Sequence, residues 1–264
     1  VTKTLGPYLD DIQFEYNIRG WLLGANRKYV KDANIGKYFG YALAYDQPQS
    51  VINGTSYTQQ QYNGNIAGTI WRSKGDHISR KYDFTYDNLN RITGAEFNQQ
   101  NEGSTAWSKN LVDFTVSDLT YDQNGNILTM KQQGLVGGGP APVDNLKYKY
   151  DFNGVNGNKL FSVTDIANNP QSLLGDFKEI NNNESQDYWY DDNGNLIKDL
   201  NKNITAISYN HLNLPEEITI AGKGNIKYLY NALGEKLRKT VTDNTLSTPK
   251  VTTTDYISGF EFSD

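Results

Sequence analysis

Chemistry in this chain would have to come from few side chains. The sequence holds two histidines, His77 and His211, and no cysteine. A thiol nucleophile, a thiolate metal site and a disulfide framework are therefore excluded. Neither histidine belongs to an H-E-x-x-H pair, and no G-x-S-x-G nucleophile elbow occurs. His77 ends the polar run Ser73-Lys74-Gly75-Asp76, and His211 lies in Tyr209-Asn210-His211-Leu212-Asn213. Both read as solvated turn residues. Carboxylates cluster at Asp10-Asp11, Asp191-Asp192 and Glu216-Glu217. A glycosidase needs two such groups converging on one bond. Neighbours on a strand point to opposite faces, so Glu216 and Glu217 would not share a pocket. Asp191-Asp192-Asn193-Gly194 has the flavour of a calcium loop but lacks the distal bidentate carboxylate such loops use. No catalytic, cofactor or metal residue is assigned, and the expectation is a protein that is not an enzyme.

The elements that carry these residues explain them better. Asparagine and glycine together make 55 of 264 residues, and both accept the left-handed conformation that turns demand. With 12% aromatic residues the chain is too rich in core material to be disordered. Formal charge is -5 and the pI is near 5.1, which argues against a nucleic-acid partner. No window is apolar enough to form a membrane-spanning helix. The opening VTKTLGPYLDD has neither an initiator Met nor a signal region, and reads as a piece of a longer chain.

Self-similarity is the dominant feature. Tyr86-Asp87-Asn88-Leu89-Asn90-Arg91-Ile92 matches Tyr121-Asp122-Gln123-Asn124-Gly125-Asn126-Ile127 and Tyr190-Asp191-Asp192-Asn193-Gly194-Asn195-Leu196. Tyr209-Asn210-His211-Leu212-Asn213-Leu214, Tyr230-Asn231-Ala232-Leu233-Gly234-Glu235 and Tyr16-Asn17-Ile18-Arg19-Gly20-Trp21-Leu22 follow the same rule. Weaker copies stand at Tyr62-Asn63-Gly64-Asn65-Ile66 and Tyr150-Asp151-Phe152-Asn153-Gly154. Residues before each Tyr alternate, as in Lys81-Tyr82-Asp83-Phe84-Thr85-Tyr86, the pattern of a half-buried strand. The Asp or Asn that follows caps a turn, and Gly or Asn takes its left-handed position. Each copy is thus strand, turn, strand, with the tyrosines expected to stack along one face. Helix is scarce. Gln132 to Val143, with Gly137-Gly138-Gly139-Pro140, reads as a flexible loop. Phe97 to Asp113 reads as an insertion holding Trp107. Trp21 and Trp71 are expected to face a core, and Trp189 the face opposite Tyr190.

These motifs are close to YDxxGN and YDxxNRL, and over residues 14–262 the chain resembles the Rhs, or YD-repeat, proteins. That family comprises bacterial polymorphic-toxin carriers, with the animal teneurins as relatives; the copies at Tyr16 and Tyr62 resemble its Bacteroidetes-type form. The resemblance implies an all-β fold: tandem β-hairpin YD repeats forming a spiralling β-sheet, an arc or segment of a hollow Rhs shell. It implies one repeat region across 1–264, lacking the C-terminal Rhs core and toxin. The implied role is a structural shell segment of a secreted or cell-surface protein that encapsulates or presents a C-terminal effector. Implied partners are the remainder of its own chain, a secretion-system component or another β-edge. The residues expected to carry the repeat are Tyr86, Asp87, Tyr121, Asp122, Gly125, Asn126, Tyr190, Asp191, Gly194, Asn195, Tyr209, Tyr230 and Gly234. The competing reading is an extracellular adhesion or carbohydrate-binding module, which needs outer aromatics that are grouped.

Overall fold

A computed structural model describes residues 1–6, 10–46, 52, 55–152, 155–167, 169, 171–172, 175–179 and 185–264. The chain divides into two compact units, Val1–Leu146 with Ile166–Phe177, and Lys147–Asp165 with Lys178–Asp264.

In the first unit the strands are β1 (Thr2–Leu5), β2 (Asp10–Tyr16), β3 (Leu22–Ala25), β4 (Phe39–Ala44) and β5 (Gly68–Ser73). They continue as β6 (Ser79–Tyr86), β7 (Ile92–Gln100), β8 (Trp107–Ser108), β9 (Val116–Tyr121), β10 (Ile127–Val136) and β11 (Gly139–Lys149). Sheet order follows chain order from β1 to β11, with β8 set beside β7 instead of in the path. One short helix, α1 (Arg27–Lys31), buries Tyr29 and Val30 completely. It lies so close to β4 that a Cβ on Gly40 would meet the Asn26 carbonyl oxygen at 2.7 Å. Val30, Ala42, Ile52 and Ile70 form the core there, with Trp107 packed against it. Trp71, Tyr82, Phe97 and Phe114 continue it as an aromatic chain, with successive ring centroids 5.6, 5.5 and 5.4 Å apart, spacings at which such pairs attract.

In the second unit, β12 (Asp151–Phe152) pairs with β13 (Val155–Asn156), and β14 (Ser162–Asp165) follows. A consecutive antiparallel sheet then comprises β15 (Tyr188–Tyr190), β16 (Leu196–Asp199), β17 (Ile204–Tyr209) and β18 (Pro215–Ile220). It is completed by β19 (Gly224–Tyr230), β20 (Lys236–Asp243), β21 (Lys250–Ile257) and β22 (Phe260–Ser263). Register places Ile207 opposite Ile218, Ile218 opposite Ile226 and Ile226 opposite Val241. Cross-strand apolar pairs of this kind are the stabilising unit of a sheet. Only Thr254 is buried among the described residues of β17–β22, so cross-strand contact, and not a second layer, holds this part together.

One register detail recurs wherever a repeat turn closes a hairpin. A register shift falls immediately before Tyr16, Tyr86, Tyr121, Tyr190, Tyr209 and Tyr230. One residue of each outgoing strand is left over: Leu23, Thr93, Leu128, Ile197, Glu216 and Leu237. These are β-bulges, which add twist and re-aim the side chains around them.

Three expectations are corrected. The strands do not form one spiralling β-sheet or an arc of a hollow shell. They fall into separate sheets, each an open order in which no end strand pairs back onto the other end. The break falls between β14 and β15: Asp187 N–H and Tyr188 N–H both converge on the Phe161 carbonyl, at 3.0 and 3.3 Å, and among the described residues no ladder joins the two strands. Second, residues 132–143 are no flexible loop. β10 and β11 run through them, joined at Gly137 and Gly138 with φ of 61° and 89°, a pair of left-handed residues that suits a two-residue hairpin turn. Third, the insertion read from Phe97 to Asp113 begins inside β7 and carries β8, and Phe97 itself is 1% exposed.

Candidate functional site

The repeated turns are where this sequence concentrates its polar chemistry. In the copy at Tyr121, the Asp122 N–H donates to the Asn126 carbonyl at 2.9 Å and the Gly125 N–H to the Asp122 carbonyl at 3.2 Å. The Asp122 carboxylate accepts from the Asn126 backbone N–H and from its Nδ2, both at 2.8 Å. Asp191 does the same for Asn195, at 2.7 and 2.9 Å. Asp87 accepts from Leu89 N–H, Arg91 N–H and Arg91 Nε at 2.9, 3.0 and 2.7 Å. Asn210 and Asn231 reproduce the two backbone bonds with a neutral oxygen. The left-handed position holds Gly125, Gly194 and Gly234 at φ 88°, 87° and 83°, and Asn90 and Asn213 at 63° and 57°. Only residues without a crowded Cβ, or with a short amide, adopt this cheaply.

The same hydrogen bonds set the acidity of the turns. The Arg91 backbone N–H holds Asp87 below the ordinary carboxylate range. The Asn126 side chain does this first for Asp122, and the Asn195 side chain for Asp191.

Five of the repeat tyrosines, Tyr86, Tyr121, Tyr190, Tyr209 and Tyr230, reach back to the hairpin before them. Tyr121 Oη donates to the Ile92 carbonyl at 2.6 Å, Tyr209 to Leu196 at 2.6 Å and Tyr230 to Pro215 at 3.0 Å. Ile92, Leu196 and Pro215 are the residues paired with Tyr86, Tyr190 and Tyr209. So each hydroxyl lands on the residue opposite the preceding tyrosine. Cations complete the contact: the Arg91 guanidinium sits 4.4 Å from the Tyr121 ring centroid and Lys159 Nζ 5.5 Å from that of Tyr190. The stacked column expected for these tyrosines is therefore a column of hydroxyl-to-carbonyl bonds.

One member of the row, Tyr45, lies outside the sequence motif. Tyr45 donates to the Leu22 carbonyl at 2.9 Å, and Tyr86 to the Ile66 carbonyl at 2.7 Å. Tyr45-Asp46 is thus the tyrosine step that Ile66 closes. Tyr62 instead turns outward, 59% exposed, and bonds Gln60 at 2.7 Å. An insertion hides the match, although Phe39-Gly40-Tyr41-Ala42-Leu43-Ala44 before Tyr45 alternates as a strand should. Likewise Tyr190 Oη donates to the Leu160 carbonyl at 3.0 Å, so the copy begun at Tyr150 is closed by Gly157-Asn158-Lys159-Leu160. Asn153-Gly154, where the motif places the turn of that copy, lies outside the described residues.

Asparagines link neighbouring turns sideways. Asn213 Oδ1 accepts from Asn193 Nδ2 and Asn195 Nδ2 at 3.1 and 2.9 Å. Asn90 Oδ1 accepts from Asn63 Nδ2 and Asn65 Nδ2 at 2.6 and 3.4 Å.

The acid–base candidates are taken up structurally. Asp10 pairs with Lys37, Asp11 accepts from Thr4 Oγ1 at 2.6 Å, and Glu217 accepts from Asn225 Nδ2 at 2.6 Å. His77 is not merely solvated: with φ 56°, its Nδ1 lies 3.1 Å from the hydroxyl of the buried Tyr29. In the second unit Glu179 accepts from Asp165 N–H at 2.6 Å and Asp187 from Val163 N–H at 2.7 Å. Burial, aided by the charges of Asp187 and Asp165, pushes the Glu179 carboxyl up. In the first unit a groove of 330 Å³ is walled by Phe14, Tyr38, Phe39 and Tyr41. Its rim residues Tyr38 and Phe39 are 52% and 47% exposed.

No protein-family model and no curated protein matches the chain. Among solved structures it is similar to the Photorhabdus luminescens Tc holotoxin pore carrying TccC3-D651A, at 13% identity and a TM-score of 0.45. That match covers 96% of this chain and 12% of the other. It is also similar to TcdB2-TccC3-Cdc42, at 14% identity and a TM-score of 0.33 over 96% of this chain and 14% of that one. For TcdB2-TccC3 the figures are 14% and 0.32, over 96% and 15%. The chain spans less than a sixth of the length of these structures.

Proposed function

We propose that the chain is a structural, non-catalytic repeat region of a larger secreted or surface-delivered bacterial Rhs, or YD-repeat, protein. In this reading residues 1–264 are one structural part of a longer chain that encapsulates or presents a C-terminal effector domain. The observation that carries it is the row of hydroxyls of Tyr45, Tyr86, Tyr121, Tyr190, Tyr209 and Tyr230, each bonded to a carbonyl of the hairpin before. Such bonding makes every copy depend on its neighbour, as in other repeat architectures, and directs the motif's chemistry inward to the sheet instead of toward a substrate. The partners are the flanking repeats and the effector of the same polypeptide, reached through open sheet edges such as β22, which invite further strand pairing.

Protease protection of the full-length natural protein tests this. A C-terminal domain that survives a protease dose sufficient to degrade the same domain expressed alone is the expected result. Equal rates of cleavage would overturn the reading.

The aromatic groove favours a second reading, a binding module. Tyr38 and Phe39 are grouped and exposed, as stacking platforms must be. Binding of a glycan or apolar peptide that Tyr38→Ala abolishes would support it, and a blank glycan and peptide array would remove it.

A further inference from the structure

Four Asn-Gly pairs fall among the described residues: Asn63-Gly64, Asn124-Gly125, Asn156-Gly157 and Asn193-Gly194. Such a pair can modify itself, because the glycine nitrogen is one five-membered ring away from the asparagine side-chain carbon and no Cβ hinders its approach. In three of the pairs that nitrogen is occupied. Gly125 N–H donates to Asp122, Gly157 N–H to Tyr150 and Gly194 N–H to Asp191, at 3.2, 3.1 and 3.0 Å. Gly64 N–H makes no hydrogen bond among the described residues. Its φ is 99°, and the Trp21 ring covers the side where a Cβ would stand, 3.4 Å away.

Asn193 is the nearest comparison. Both side chains are exposed and donate Nδ2 to an asparagine oxygen on the neighbouring turn, Asn63 to Asn90 at 2.6 Å and Asn193 to Asn213 at 3.1 Å. Asn63 Oδ1 also accepts from the Asn65 N–H at 3.0 Å, which holds its side chain across the turn. Among the described residues the glycine N–H is bound at Asn193-Gly194 and unbound at Asn63-Gly64.

We infer that Asn63 is a self-modification site, the position where the folded chain forms a succinimide and then aspartate or isoaspartate. The Gly64 nitrogen gives up its proton and bonds to Asn63 Cγ, and the side-chain nitrogen leaves as ammonia. Water then opens either ring carbonyl, giving aspartate or, through the side chain, isoaspartate. Water is the only co-reactant. The product carries a carboxylate with no N–H to offer, so it faces Asn90 Oδ1 as a second acceptor, and the 3.4 Å bond from Asn65 Nδ2 is what remains of the link between the two turns. The modification would thus loosen one sideways latch while leaving the tyrosine row untouched.

Peptide mapping by mass spectrometry of the full chain, aged at neutral pH, tests this, with isoaspartate counted by enzymatic methylation. The expected result is modification at Asn63 about five- to tenfold faster than at Asn124 or Asn193, the weight of one backbone hydrogen bond. In urea, which frees every glycine N–H, the rates should converge. Asn63→Gln, whose side chain closes a ring far more slowly, should lose the signal from that peptide. Asn124 or Asn193 ageing as fast as Asn63 in the folded chain would overturn the assignment, as would a difference that persists in urea.

Discussion

The Tyr209 hydroxyl donates to the Leu196 carbonyl at 2.6 Å, and Leu196 is the residue that register places opposite Tyr190. One repeat tyrosine is thereby tied to the partner of the one before it. Removing a single such hydroxyl leaves a carbonyl to find another donor, a loss of about 1 kcal/mol. Tyr209→Phe and Tyr121→Phe should each lower stability by that amount in urea titrations of the full chain. Tyr62→Phe, which removes only a bond to Gln60 at the surface, should change nothing measurable.

The turn acids are expected to matter through what they accept. Asp122→Ala removes the acceptor for both Asn126 donors and should cost about 1 kcal/mol, by analogy with the loss of a helix cap. Asp122→Asn keeps the backbone bond that Asn210 and Asn231 make in their own copies, and should cost well under half as much. Thermal melts of the two variants side by side check the order.

Backbone handedness gives a third test. Gly194→Ala forces a Cβ into a left-handed residue and should cost about 1–2 kcal/mol. Asn90→Gly, which relaxes the same position, is expected to be neutral in backbone terms and to lose only the amide link to Asn63 and Asn65.

Stability should fall at both ends of the pH scale. Asp87, Asp122 and Asp191 are held below the usual range when folded. Their contribution is complete above the unfolded value of about 3.9 and fades as pH falls through the folded values. Tyr86, Tyr121, Tyr190, Tyr209 and Tyr230 are pushed up, chiefly by burial. Their contribution is complete below about pH 10 and is lost as pH rises beyond it. Urea midpoints across pH should show both losses. Replacing the three aspartates by Asn should flatten the acid limb and leave the alkaline limb in place.

Much of this was legible beforehand because turns are local. Asp122 needs only Gly125 and Asn126, a few residues on, to make its loop, so the spacing reveals it. The tyrosine bonds are not local: Tyr86 reaches Ile66 and Tyr190 reaches Leu160, across insertions that erase the spacing. Tyr45 therefore carries no motif spacing, and Tyr62 carries it instead. Sheet continuity is hidden for a related reason. Eight similar hairpins predict a continuous ladder only if each pairs with the last, and among the described residues no ladder joins β14 to β15. Gly137-Gly138 misled in the opposite direction, since glycines that suggest a loose loop are also what a two-residue hairpin turn requires.

The most direct test of the central claim is a cryo-EM structure of the full-length natural protein. The account predicts that these residues are continued by strand pairing at their open edges, with effector density held against the repeat wall and the Tyr38–Phe39 groove empty. A free-standing domain with unpaired edges and a ligand seated in that groove would contradict it.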